Sequence, residues 1–314
     1  MSKTTNLKTK LAASRRFTFS GLTRVASVAS IGLCIATGAS AQNIATDVGA
    51  SERINIAGQL STLSQRIIAS ACNLNSGITV RESQAVLQIS AEQFTVISDA
   101  LLQGNRRMGV VGEETRPRTL QVISSLNDEW GPLLDQATAT AVAADDNAQI
   151  KALADKSGPL LETANILVSE ITGQYADPVA LLHADALLID LSGRQRTLAA
   201  QMSKDVCLIA SGINVEQAQA DLAKNAQLFS DTLSALRNGL ESVGVRPPPT
   251  ARIEEGLQFA VEEWDALQPL LAQAQSGASL DEATRQRVFF AFLGIEARMN
   301  NVTVLYDKNS KLGL

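Results

Sequence analysis

The stretch SGRQRTLAAQMSKDVCLIASG, residues 192–212, places a permanently charged side chain among very small ones. On a helix, Arg196 shares a face with Gly193, Ala200 and Ser203. A guanidinium in a tight helix–helix contact needs a partner because it does not lose its proton. No acid lies on that face, so the pattern favours a site for a small anion or for water. The alternatives are that Arg196 points into solvent or pairs with an acid on another helix.

The same alternation of large apolar and small residues occurs 135 positions earlier, in AGQLSTLSQRIIASACNLNSG, residues 57–77. Many other features coincide at this offset, the tryptophans with one residue of slippage. The coinciding pairs include Gly58 with Gly193, Cys72 with Cys207, Phe94 with Phe229, Trp130 with Trp264 and Asn165 with Asn300. The chain is therefore an internal duplication.

Composition and periodicity predict that each copy forms four helices. Aromatic residues make up only 4% of the chain, and alternating β-branched residues are rare. The predicted helices lie near 48–75, 80–104, 114–140, 146–173, 179–210, 214–239, 250–275 and 280–309, and Pro178 is a plausible helix start. We predict an all-α fold of two tandem up-down-up-down four-helix bundles, residues 42–175 and 176–314, with the tryptophans in their cores.

Residues 1–41 have the pattern of a secretory signal peptide. Six basic residues and no acid precede an apolar run, and the segment ends with Ala39-Ser40-Ala41. We expect cleavage before Gln42 and a periplasmic location; an uncleaved membrane anchor is the alternative. We find no spanning segment or transmitter domain after Ala41, so we expect a soluble protein that depends on a partner for signalling. Removing the segment leaves 21 basic residues against 32 acidic ones, a net charge of −11, which argues against nucleic acid as a partner.

The first helix of each copy has two faces that are both suited to packing. Leu198, Met202 and Val206 form an ordinary core face in the second copy, whereas the small-residue face suits the first helix of the sister copy. If these helices pack in parallel, Cys72 and Cys207 could meet, and we hypothesise a disulfide between them. Two buried thiols are the alternative.

Catalytic and metal-binding patterns are not apparent. His183 is the only histidine, and the chain lacks a C-x-x-C-H motif, so we predict no metal, no haem and no other cofactor. We expect His183 at the surface or in a linker. We predict that the protein is not an enzyme.

The segments INIAGQLSTLSQRIIASA and LIDLSGRQRTLAAQMSKD resemble the signature of the PilJ-type, or NarX-like, extracytoplasmic sensor domain. The resemblance covers essentially the whole mature chain as two copies. It implies four-helix sensor modules and, in nitrate/nitrite sensor kinases, an anion held between the first helices of two subunits by an arginine three residues after the motif glycine.

The resemblance assigns candidate ligand-binding residues unequally to the two copies. The glycine is retained as Gly58 and Gly193. The clamp arginine is Arg196 in the second copy and Ser61 in the first. The later motif arginine is Arg66 in the first copy and Gln201 in the second, and Arg194 has Gln59 as its counterpart. Each copy keeps part of the motif, so one composite site could survive between them.

These observations predict a periplasmic sensor-like module that binds a small anion of the nitrate/nitrite class and passes a signal to a membrane-bound or periplasmic protein. The alternative is a ligand-free helical scaffold for such a complex, in which the small residues only allow the helices to pack closely.

Overall fold

Helices make up all the regular elements in the part of the chain that the structure describes. The computed structural model describes residues 49–142, 146–175 and 183–312. The first repeat contains α1 (Ala50–Asn75), α2 (Val80–Gln103), α3 (Pro117–Val142), α4 (Asn147–Asp155) and α5 (Ser157–Tyr175). The second contains α6 (His183–Ala210), α7 (Val215–Asn238), α8 (Ala251–Gln275) and α9 (Glu282–Leu312). The predicted signal peptide and the predicted helix start at Pro178 lie outside the described residues.

Each repeat forms a four-helix bundle around its first helix. In the first repeat α1 packs against α2, α3 and α5, and in the second α6 packs against α7 and α9. Short 3-10 turns, Arg106–Met108 and Glu241–Val243, follow the second helix of each bundle. The predicted all-α fold with an internal repeat is confirmed.

The fourth helix of the first bundle is broken, although the sequence predicted one helix over 146–173. The break falls at Lys156, whose backbone N–H donates to the carbonyl oxygen of Leu153 at 3.2 Å. Pro159 follows closely, and its nitrogen has no hydrogen to donate to the carbonyl of Asp155, four residues earlier. The prediction of one continuous helix was therefore wrong at this point, for a reason that the sequence contains.

The turns between helices have nearly the same backbone angles at equivalent positions of the two repeats. Gly77 and Gly212 have φ angles of 69° and 70°, and Thr79 and Asn214 have φ angles of 43° and 46°. Gly104 has a φ of +79°, and a Cβ there would lie 2.7 Å from the carbonyl oxygen of Gly112. Glycine is thus required at position 104 for both conformation and space.

Aromatic pairs fill the two bundle cores at equivalent positions. Phe94 stacks on Trp130 with ring centroids 3.7 Å apart, and Phe229 lies 4.4 Å from Trp264. Both tryptophans are buried, as predicted from the sequence. Burial of such large rings is a major source of stability for each bundle.

The beginning of α1 and the ends of α5 and α9 lie at the same end of the molecule, here called the proximal end. Lys311 forms an ion pair with Glu52, and the Arg53 guanidinium lies 4.8 Å from the centre of the Tyr175 ring. At the opposite, distal end the Oγ atoms of Ser76 and Ser211 are 3.0 Å apart. The first helices of both repeats therefore run in the same direction.

Among the described helices, α9 is long and apolar enough to cross a membrane by length and composition. Its apolar side chains Phe292, Ile295 and Met299 are fully buried in the second bundle. A core helix of a soluble bundle passes the same test.

Candidate ligand-binding site

The two repeats pack against each other along α1 and α6, about a local twofold axis. Thr62 and Thr197 lie on this axis with their Oγ1 atoms 3.1 Å apart. Cys72 and Cys207, also 135 positions apart, are joined in the hypothesised disulfide, with their Cα atoms 6.2 Å apart. Cys72 and Cys207 belong to the small-residue face that the sequence assigned to this contact, whereas Thr62 and Thr197 lie next to that face and also meet.

Arg196 is buried where α6 meets α1 and α9. Its side chain is only 2% exposed. Nη1 donates to Asn55 Oδ1 at 2.9 Å and to Asn300 Oδ1 at 2.6 Å. Nη2 donates to the Asn55 carbonyl oxygen at 3.3 Å, and Nε donates to the Gly193 carbonyl oxygen at 3.2 Å. These four bonds all go to neutral oxygens, and they leave one of the five guanidinium N–H groups, on Nη2.

Two glycines make the space that this guanidinium occupies. A Cβ at Gly193 would lie 3.1 Å from Arg196 Nη2, and a Cβ at Gly58 would lie 3.4 Å from the same atom. Both are the glycines of the repeated sequence motif. The small side chains thus admit a buried cation as well as a neighbouring helix.

Burial, together with the positive charge of Arg66, lowers the pKa of Arg196 to about 10, although the negative charge of Glu296 opposes the shift. The guanidinium therefore stays charged at neutral pH. Glu296 is itself buried and accepts a hydrogen bond of 2.6 Å from Arg66 Nε. The acid whose charge raises the pKa of Arg196 is thus paired directly with a different arginine, Arg66.

A first cavity of about 320 Å³ lies beside Arg196, between α1, α5, α6 and α7. Asn55, Gly58, Ser61 and Gly193 line it near the arginine. Exposed residues, including Asn165, Arg194, Lys224 and Leu228, line it toward solvent. Ser61 Oγ donates to Asn165 Oδ1 at 3.1 Å, which links α1 to α5 across the cavity wall.

A second cavity of about 240 Å³ occupies the equivalent place in the other half, between α1, α2 and α9. Its lining residues Gln59, Arg66, Gln93 and Asn300 are the counterparts of Arg194, Gln201, Leu228 and Asn165 in the first cavity. Arg196 lines both cavities. The internal repeat therefore extends from helices and turns to the cavities.

Comparison with known families gives the same division of the chain. Residues 43–156 and 180–286 each match the family described as the type IV pili methyl-accepting chemotaxis transducer N-terminal domain, PilJ. The chain belongs to the PilJ family. The two matches correspond to the two repeats. No curated protein is significantly similar to the chain.

The PilJ domain is a sensing and signalling module rather than a catalytic one. In the transducers of the family this N-terminal domain is extracytoplasmic. Family membership therefore supports a role in signalling, while the NarX-like part of the sequence resemblance remains a prediction.

The structure divides the residues that the sequence grouped into one composite PilJ site. Gly58, Ser61, Gly193 and Arg194 line the first cavity. Arg66 lies in the second cavity, where it pairs with Glu296 at 2.6 Å. Arg194 is largely exposed and pairs with Asp190, one turn earlier on α6, at 2.8 Å.

The sequence reasoning missed three residues that contact or influence Arg196. Asn55, Asn300 and Glu296 come from helices other than α6, so the periodicity of that helix alone does not reveal them. The signals were the coincidence of Asn165 with Asn300 at the repeat offset and the place of Asn55 in the motif segment INIAG. The expectation that water or an anion must partner Arg196 was incomplete because the two PilJ repeats supply neutral acceptors.

Proposed function

We propose that this PilJ protein is a periplasmic sensor module that binds a small anion, of the nitrate/nitrite class, in the first cavity beside Arg196. The anion would sit between the first helices of the two repeats, α1 and α6. A membrane-bound or periplasmic protein would receive the signal. The observation that carries the proposal is a buried cation, bonded to neutral oxygens, at the wall of a cavity that opens to solvent.

The charges around the cavity support an anionic ligand. Arg194, Arg196 and Lys224 line it together with a single acid, Asp190, in the part of the chain that the structure describes. Asp190 already pairs with Arg194. The lining is thus positively charged, although the mature chain as a whole is strongly acidic. This charge would favour anions over neutral molecules and cations in the cavity.

A bound anion could alter the contact between the repeats through Arg196. This one side chain joins α6 to Asn55 on α1 and to Asn300 on α9. An anion that attracts the guanidinium into the first cavity would compete with these two amides. The expected result is a small movement of α9 relative to α1, which a partner at the proximal end could detect.

The experiment is a thermal unfolding titration at constant ionic strength with nitrate, nitrite and chloride. A ligand that binds only the folded protein raises the midpoint temperature of unfolding. At one hundred times its dissociation constant it stabilises the folded state by about 3 kcal/mol. We expect nitrate and nitrite to stabilise the wild type more than chloride does. The proposal fails if millimolar concentrations of all three have the same effect.

Variants locate the site. Arg196→Met is expected to abolish the anion effect. Lys224→Met, at an exposed position of the lining, should weaken it without risk to the fold, and Lys151→Met on the exposed surface of α4 is the matched control. Retention of the full anion effect in both Arg196→Met and Lys224→Met would place the anion elsewhere.

A ligand-free scaffold is the second candidate, and the close contact of α1 with α6 favours it. The disulfide and the Thr62–Thr197 contact hold the repeats together without a ligand. In that case no anion stabilises the protein, while crosslinking in periplasmic extract recovers a partner whose binding is unaffected by Lys224→Met.

A further inference from the structure

The first and second cavities occupy equivalent places in the two repeats, so the charged residues that line them can be compared directly. In the second cavity the Glu296 carboxylate lies against Arg66. Its negative charge also favours the protonated form of Arg196. The second cavity thus has a carboxylate built into its wall beside the shared arginine.

The first cavity has no acid at the equivalent position. Leu161 stands where the second repeat has Glu296, and Lys224 stands where the first repeat has Ile89. The first cavity therefore lacks both the carboxylate of Glu296 and its partner Arg66, whose counterpart is Gln201. It has the additional cation of Lys224 at its rim. The one acid among its described lining residues, Asp190, pairs with Arg194. A carboxylate brought by a ligand would therefore balance the charges of Arg196 and Lys224.

The size and walls of the first cavity leave room for a ligand larger than an inorganic ion. Its volume of about 320 Å³ lies at the lower end of the range of about 300–1,000 Å³ that is typical of pockets for small organic molecules. A four-atom ion would leave most of this space to water. Six apolar side chains share the lining: Ile54, Leu161, Val168, Ile189, Leu198 and Leu228.

We propose that the first cavity binds a small organic monocarboxylate with an aliphatic body. The carboxylate lies at the buried wall near Arg196 and Ser61, and the aliphatic body lies against Leu161 and Val168. This inference rests on the proposed function because it uses the same cavity and the same arginine. It differs in assigning part of the binding energy to apolar contacts.

The test is calorimetric titration of the whole protein with nitrate, acetate, butanoate, hexanoate and neutral hexanamide. Burial of each added methylene is expected to tighten binding by about fourfold. Hexanoate should therefore bind at least tenfold more tightly than acetate, and hexanamide should bind much more weakly than hexanoate.

Matched variants at equivalent positions separate this cavity from the other. Leu228→Trp fills the rim of the first cavity, and Leu228 is 48% exposed, so a larger ring has room to adjust. It should remove the advantage of hexanoate over acetate. Gln93→Trp makes the same change at the counterpart position of the second cavity and should leave all affinities unchanged. Ser169→Trp, on α5, is a second variant that fills the first cavity.

Each contrary outcome would overturn a specific part of the proposal. If nitrate and acetate bind as tightly as hexanoate, the organic-acid inference fails while the proposed anion sensor survives. If no compound binds, both fail. If hexanamide equals hexanoate, or if Leu228→Trp and Ser169→Trp keep the chain-length dependence, recognition of a carboxylate in this cavity is wrong.

Discussion

Arg196 and Gln195 are neighbours in sequence, but their polar side-chain groups differ in hydrogen bonding. Arg196 has acceptors from α1, α6 and α9. Gln195 is fully buried in the second bundle, and neither of its side-chain polar atoms has a hydrogen-bond partner among the described residues. Its counterpart in the first repeat is Leu60, a buried core residue. The polar residue thus occupies a place that the first repeat fills with an apolar side chain.

Replacing Gln195 with leucine should stabilise the protein. A buried amide without partners destabilises the folded state by about 1–3 kcal/mol, and the first repeat shows that leucine fits this position. Urea unfolding of Gln195→Leu should show that gain. The reverse change, Leu60→Gln, is the matched control and should destabilise the first bundle; stabilisation by both changes would contradict this account.

Asp205 should make folding stability depend on pH. Burial raises its pKa to about 6, with a smaller contribution from Asp221, while Lys204 and Asn225 oppose the rise. Between about pH 4 and pH 6 the folded state therefore binds more protons than the unfolded state, so the free energy of unfolding falls as pH rises. Above pH 6 this contribution is constant.

The variant Asp205→Asn lacks this titration. The free energy of unfolding of the variant minus that of the wild type should therefore rise by about 2–3 kcal/mol between pH 4 and pH 7. One pKa unit corresponds to about 1.4 kcal/mol. Urea unfolding of both proteins at several pH values measures the difference. A difference that does not change with pH would show that Asp205 is ionised throughout in the folded state.

At the scale of helices, the break between α4 and α5 distinguishes the first repeat from the second. Gly158 lies just after it without a positive φ angle, and a Cβ added there would meet no neighbouring atom within 4 Å. Lys204 of the second repeat donates to Ser157 Oγ at 3.0 Å, at the beginning of α5. The second repeat has one continuous helix, α9, in the corresponding place.

Gly158→Ala should stabilise the protein by about 0.5–1 kcal/mol because alanine restricts the unfolded chain and favours the helix. The same substitution at Gly104 should destabilise it, because that residue needs a positive φ and a Cβ would meet the Gly112 carbonyl. Thermal unfolding of the two variants gives opposite signs on this account. Two shifts of the same sign would contradict it.

The sequence predicted most helix ends to within a few residues because glycines and prolines mark them. It also led to the hypothesis that Cys72 is bonded to Cys207, since equivalent residues that face the axis between two parallel helices can meet. It did not separate Arg66 from Arg196. Each residue turns the side chain by about 100°, and the choice between two neighbouring cavities depends on how α9 packs, which the pattern of α1 does not contain.

At the scale of the whole molecule, the disulfide joins the two repeats across 135 residues of chain. It adds a covalent link to the packing of α1 against α6, and both sulfurs are buried. The repeats therefore form an intramolecular pair whose association does not depend on protein concentration.

Removing the disulfide should lower stability without separating the repeats. Closing a loop of this length restricts the unfolded chain by up to about 5 kcal/mol in the chain-entropy description, and measured effects are commonly about 2–5 kcal/mol. The double variant Cys72→Ser, Cys207→Ser should unfold at lower urea concentration, in a transition that reductant does not change. The wild type should lose the same amount only when reduced. Equal stability with and without reductant in the wild type would show that the thiols are free.

The ion pair of Lys311 with Glu52 has a consequence for how such a protein can be attached to others. Because both extremities of the described chain meet at one pole, any anchor or fused reporter at either extremity projects from that pole. The opposite pole, which includes the glycine turns at Gly77 and Gly212, then faces away from the attachment surface. A fluorophore and a contact quencher on the two extremities would start close together, so a displacement of a few ångströms between the halves would register as a loss of quenching.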